Sequence, residues 1–135
     1  MANKAKSAVV TGTVEVSSSD ESEPLRIGFV PQQDILPPLL TVHEALLFAS
    51  RLRLPEGISD THKRERVDEI MEKLGISHLR NVRIGHAGGS GARGISGGEM
   101  RRVSIGLELI ADPDILILDE PTSGKSGQIA AYTFS

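Results

Sequence analysis

The chain has 135 residues, a formal charge of −3, 39% hydrophobic residues, three phenylalanines, one tyrosine and no cysteine, which is one domain's length with apolar side chains enough for a core. A mildly acidic balance with so few aromatics argues against nucleic acid as a partner, because no basic groove or stacking platform is available, and the missing cysteines exclude disulfides and thiolate metal sites. No apolar run reaches the roughly 20 residues of a membrane-spanning helix, and the first residues carry no signal-peptide core.

Residues 11–16 (TGTVEV) alternate small or polar with apolar side chains, the period of a short strand. Residues 17–24 (SSSDESEP) are polar and turn-rich, hence loop. Residues 27–30 (IGFV) are a compact apolar run, read as a buried strand stopped by Pro31. Thr41 and Glu44 have capping-box spacing at the head of a helix. Val42, Ala45, Leu46, Ala49 and Leu52 then recur at helical period, and Pro55 closes the segment.

A second helix is predicted over 60–74, with Val67, Ile70, Met71 and Leu74 as its inner stripe. Lys63, Arg64, Glu65, Glu69, Glu72 and Lys73 are expected to face solvent. Gly75 can take the left-handed turn that ends the helix and folds Ile76 back toward Met71. Seven glycines crowd residues 85–98 into a loop. A third helix starts after Ser96 and carries Met100, Val103, Leu107 and Ile110 on one face. Asp112-Pro113-Asp114 turns the chain into residues 115–118 (ILIL), apolar on both faces like a central parallel strand covered above and below. Helices alternating with buried strands give an α/β class.

Ser96-Gly97-Gly98-Glu99 sits where loop becomes helix. Ser96 and Glu99 have capping-box spacing, which by itself makes a good helix start. The same exposed amides, serine hydroxyl and glycines also form an anion site at the positive end of a helix dipole. Asp119-Glu120 follows ILIL, and the carboxyl end of a buried strand is where α/β folds place ligand chemistry. Asp119 there suits Mg²⁺, and Glu120 suits polarising an attacking water, although Asp-Glu-Pro can also simply end a strand.

Two glycine motifs are set aside. Residues 89–94 match G-x-G-x-x-G, but no strand runs into them and no helix opens at once. Gly124-Lys125-Ser126 would end a phosphate-binding loop whose first glycine falls at Asp119, and an acid there repels phosphate. His43, His62, His78 and His86 lack metal-ligand spacing. Arg101 and Arg102 are expected on a solvated helix face.

ISGGE, then a helix, then a strand ending in DEPT, makes the chain resemble the ATP-binding-cassette (ABC) ATPases. IGFVPQQD resembles their Q-loop strand. LTVHEALLFASRLRLP and RGISGGEMRRVSIGLELIADPDILILDEPTSG resemble the G subfamily, the white-type and pleiotropic-drug-resistance transporters, over about residues 11–124. The resemblance implies a partial P-loop NTPase domain: a helical subdomain over about 41–110, with Q-loop and Walker B strands, within residues 1–124. Residues 125–135 would be a divergent tail.

It further implies ATP and Mg²⁺ as cofactors, Glu120 as the catalytic carboxylate, and Asp119 with Gln32 as metal ligands. Gln32, Ser96, Gly97, Gly98 and Glu99 would contact nucleotide. The implied partners are a second nucleotide-binding domain, docked head to tail, and the transmembrane domain of a membrane transporter that holds this part on the cytosolic face. Such a transporter would export lipid-like or xenobiotic compounds.

The chain departs from the family at both ends. Only ten residues precede Thr11, too few for the P-loop, and Lys125-Ser126-Gly127-Gln128 stands where Leu-Asp of the D-loop continues. No histidine follows Asp119 to contact the γ-phosphate. The chain alone is therefore expected to be inactive, with only its signature face able to work against an intact partner. A non-catalytic interaction fragment that docks its signature on an intact transporter is the alternative. Without a P-loop strand beside it, ILIL is expected to expose an unpaired apolar edge, and the helices to outlast the sheet.

Overall fold

Helix starts in this chain are written in side chains a few residues apart, and the computed structural model puts each where local chemistry requires it. The structure describes residues 24–85 and 94–119, and the backbone of 129–133. Strand β1 is Ile27–Val30, helix α1 Val42–Arg53, helix α2 Asp60–Lys73, helix α3 Gly97–Leu109, strand β2 Ile115–Asp119 and strand β3 Ile129–Thr133; a 3₁₀ turn covers Ser77–Leu79. The α/β class holds. The strand expected over 11–16 and the GKS segment lie outside the described residues.

Thr41 caps α1 and Ser96 caps α3, each in a complete capping box with Glu44 and Glu99. Ser59 caps α2, its hydroxyl accepting from the His62 amide. At the other end of α2, Gly75 has φ 65°, where a side chain is disfavoured. The Gly75 amide donates to the Glu72 carbonyl at 2.9 Å and the Ile76 amide to the Met71 carbonyl at 2.9 Å, a Schellman motif.

The three helices enclose the main core. Val42 and Leu46 of α1, Val67, Ile70 and Met71 of α2, and Met100 and Val103 of α3 meet with Ile76, Ile84 and Ile110, all buried. Gly106 lies at this crossing, where a Cβ would come within 3.4 Å of Leu74, Leu46 and Ile70. Lys63 is a correction. It is buried, because it stands one turn before Val67 on the same helical face, where a long aliphatic stem can pack among apolar neighbours.

The sheet order is β1-β2-β3, with β1 parallel to β2 in the register Val30↔Leu118, and β3 antiparallel to β2. β2 is therefore central, not an edge. The expected unpaired edge of ILIL is corrected by β3, a strand within the residues expected to be a divergent tail. Val30, Leu116 and Leu118 make a second, smaller core with Ile105 and Leu109 of α3. The buried reading of IGFV is half right: Gly28 and Val30 are buried, while Ile27 and Phe29 are 60% and 50% exposed. Alternation puts those two on the face opposite α3.

Candidate functional site

α3 carries two stripes, one to each core. Met100, Val103 and Ile110 face the helices, whereas Ile105 and Leu109 face the sheet. That double contact fixes the head of α3, where Ser96, Gly97 and Gly98 are exposed. The Ser96 hydroxyl donates to Glu99 Oε2 at 2.7 Å, and the same oxygen accepts from the Ser96 amide at 2.7 Å. These bonds from Ser96, with His78 Nε2 3.5 Å from Glu99 Oε1, hold the Glu99 carboxyl below the usual carboxylate range. His78 thus borders a motif that sequence reading had not connected it to.

A Cβ added at Gly97 or Gly98 would meet nothing within 4 Å among the described residues. Neither residue has a positive φ. No described residue requires glycine at the first two positions of α3, where alanine is the better helix former. Close approach of a group from outside would require it. The site left open in this way is the positive end of a helix dipole.

Asp119 ends β2 and is partly exposed. Gln32 follows Pro31 at the end of β1. Because Val30 and Leu118 form the last parallel rung, the fold brings Gln32 and Asp119 to the carboxyl ends of neighbouring strands. Among the described residues no cluster of three or more His, Asp or Glu could hold a metal, so Gln32 and Asp119 could hold one only together with ligand oxygens or water. Glu120 lies outside the described residues.

Arg101 corrects the expectation of a solvated face. Its side chain is 15% exposed and reaches the carbonyls of Pro31 and Asp119 and the Asp34 carboxylate. Arg101 stands one and two turns before Ile105 and Leu109, on the stripe that the fold turns to the sheet.

Beside this site runs an apolar groove of about 420 Å³, lined among others by Phe29, Ile35, Phe48, Leu52 and Leu107. The Ser104 hydroxyl in its wall is buried without a hydrogen-bond partner among the described residues. Among the described residues no helix is long and apolar enough to cross a membrane.

The ABC transporter family model matches residues 3–123. ABC transporter G family member 22 of Dictyostelium discoideum is 41% identical over 128 residues, covering 92% of this chain and 21% of that protein. The G family member STR2 of Petunia hybrida is 55% identical over 97 residues, 72% of this chain and 13% of the relative. The chain thus spans about a fifth or less of these relatives' length. Among solved structures, cbiO1 of Clostridium perfringens, part of the ABC transporter complex cbiONQ, superposes with a TM-score of 0.60 at 30% identity, covering 73% of this chain and 36% of that one. A signature at the head of α3, a Q-loop strand beside a Walker B strand, and these matches together place the chain in the ABC transporter family, as part of a nucleotide-binding domain akin to those of its G-type members.

Proposed function

We propose that this chain presents the signature of an ATP-hydrolysing domain to nucleotide, in a G-type transporter that exports lipid-like or xenobiotic compounds. The observation that carries the reading is the open head of α3, where Ser96, Gly97 and Gly98 are exposed and no described residue gives either glycine a structural task. Phosphate docked there would meet backbone amides and the helix dipole. At a separate nucleotide site, on the carboxyl ends of β1 and β2, Asp119 and Gln32 would hold Mg²⁺ with the phosphates bound there, and the ion would neutralise their charge. Glu120 would orient the attacking water.

Within the 135 residues no G-x-x-x-x-G-K-[ST] segment occurs. The phosphate cradle facing this signature would come from a second nucleotide-binding domain docked head to tail on it. Exposed apolar surface of groove form marks interaction sites, and the transmembrane domain of the parent protein is the partner we assign to the groove. That puts this part on the cytosolic face of a membrane.

Ser96 is both cap and proposed phosphate ligand, so an alanine there would confound the two roles. Asn keeps the cap and removes the hydroxyl. The test mixes the full chain with an intact G-type nucleotide-binding domain, stalled by amide replacement of its own catalytic glutamate, in an analytical ultracentrifuge. A complex should form only with MgATP, and Ser96→Asn should weaken it by about tenfold or more with the melting temperature unchanged. Association without ATP, or indifferent to Ser96→Asn, sinks the proposal. The chain alone should show no micromolar MgATP binding in equilibrium dialysis. Binding lost on changing Lys125 would reinstate the GKS segment.

A further inference from the structure

Arg101 sits in the second turn of α3, yet its guanidinium is turned onto the strand ends. One nitrogen, Nη2, donates to the Asp119 carbonyl at 2.6 Å. The other, Nη1, donates to the Pro31 carbonyl and, at 3.3 Å, to Asp34 Oδ1. Asp34 is itself only 18% exposed, so the charge is neutralised where water is scarce. Val30↔Leu118 is the last rung joining β1 to β2, and Pro31 and Asp119 are the next residue on each strand. The arginine thus ties the two strands together just past the point where their own ladder stops.

A peptide carbonyl and the following amide share one rigid plane. The Pro31 carbonyl belongs to the plane that contains the Gln32 amide, and the Asp119 carbonyl to the plane that contains the Glu120 amide. Holding the Pro31 carbonyl therefore holds the entry to Gln32, and holding the Asp119 carbonyl fixes the end of β2. A planar guanidinium can do this because its donors are fixed in a fork, whereas an ammonium is a single point of charge.

We infer that Arg101 is a positioning residue: it clamps the carboxyl ends of β1 and β2 to each other and to α3, and so sets the spacing of Gln32 from Asp119. The inference rests on the reading of those two residues as the metal pair. It also makes α3 one mechanical piece with them, because its signature-bearing head cannot shift over the sheet without breaking the clamp.

The test follows amide order parameters by NMR in the full chain, which needs no nucleotide. In the wild type, Gln32 and Asp34 should show rigid values, about 0.85, and in Arg101→Met should drop below about 0.6. Val67, Ile70 and Met71 in the helical core should stay rigid. Arg101→Lys should not restore order, and full rescue by lysine overturns the fork. If Arg101→Met fails to fold, as loss of order in α2 would report, Asp34→Asn carries the test with a smaller drop at Gln32. Unchanged order at Gln32 in the folded variant overturns the clamp.

A second readout adds Mn²⁺ as a stand-in for Mg²⁺ and follows line broadening. In the wild type the Gln32 side-chain amide and the Asp119 backbone amide should broaden at one Mn²⁺ concentration, and in Arg101→Lys at concentrations several-fold apart. Joint broadening in Arg101→Lys overturns the clamp. No broadening at either residue in the wild type refutes the metal pair instead, and the order parameters still decide the clamp.

Discussion

Gly94 and Gly97 stand three residues apart, before and at the start of α3, and answer opposite demands. A Cβ at Gly94 would lie 2.4 Å from the Ile84 carbonyl oxygen and 2.9 Å from the Gly85 Cα, both backbone atoms that cannot swing away. Gly94→Ala should therefore lower stability by about 2 kcal/mol in urea titration, in the range of an overpacked core. Gly97 meets nothing among the described residues. Gly97→Ala should raise stability by up to about 0.5 kcal/mol, the low end of what glycine costs a helix, while weakening ATP-dependent docking. Loss of stability in both variants would contradict the open-face account.

Titration acts at the same scale. Hydrogen bonds from Thr41, the backbone amide foremost, lower the Glu44 pKa; those from Ser96, the hydroxyl foremost, lower that of Glu99. The Arg26 backbone amide, then its guanidinium, lowers the Asp114 pKa. Burial, then the Arg80 guanidinium, lowers the His43 pKa. In every case the unfolded chain binds protons more readily than the folded one. Stability is then fully present above the ordinary pKa and is lost as pH falls through the lowered one. The melting temperature should decline as pH drops below His43's ordinary value of about 6.5, and again below the carboxylate range near 4. A melting temperature that rose between pH 6 and 4 would refute this assignment.

At the scale of elements, helix ends have the clearest local causes. Thr41→Ala removes a capping box and should cost about 1 kcal/mol, and Gly75→Ala forces a side chain into a left-handed turn at about 1–2 kcal/mol. Urea denaturation of the two variants and their double mutant checks this, and additive losses are expected because the sites lie on different helices. The strands differ in kind. β2 is paired on both sides, whereas β1 is, among the described residues, paired only with β2, with Ile27 and Phe29 exposed on one face.

Taken as a whole, the molecule has unequal cores. The helical one gathers α1, α2, α3 and the loop around Ile84, while the sheet rests on Val30, Leu116 and Leu118 against one face of α3. Local opening is governed by such differences in buried apolar contact. On heating or in mild urea, helical amides such as Val67 and Ile70 should stay protected from hydrogen exchange after residues 115–118 have opened. Equal protection of the two sets in one cooperative transition would refute it.

Caps, stripes and the Gly75 turn were legible in the sequence because each joins residues three to five apart. ISGGE and DEPT were legible for the same reason, as short runs at a loop-to-helix and a strand-to-loop boundary. What the sequence left open depended on partners far along the chain. Lys63 reads as a surface charge until α2 is packed, and Phe29 reads as buried until the described helix that packs on the sheet, α3, is seen to cover Val30 and not Phe29. Pairing of β3 with β2 is a backbone match that no periodicity announces. Arg101 followed the signature as an ordinary helix-surface arginine, and only the approach of two strand ends, 70 residues away at Pro31 and 18 at Asp119, gave its guanidinium the carbonyls it holds.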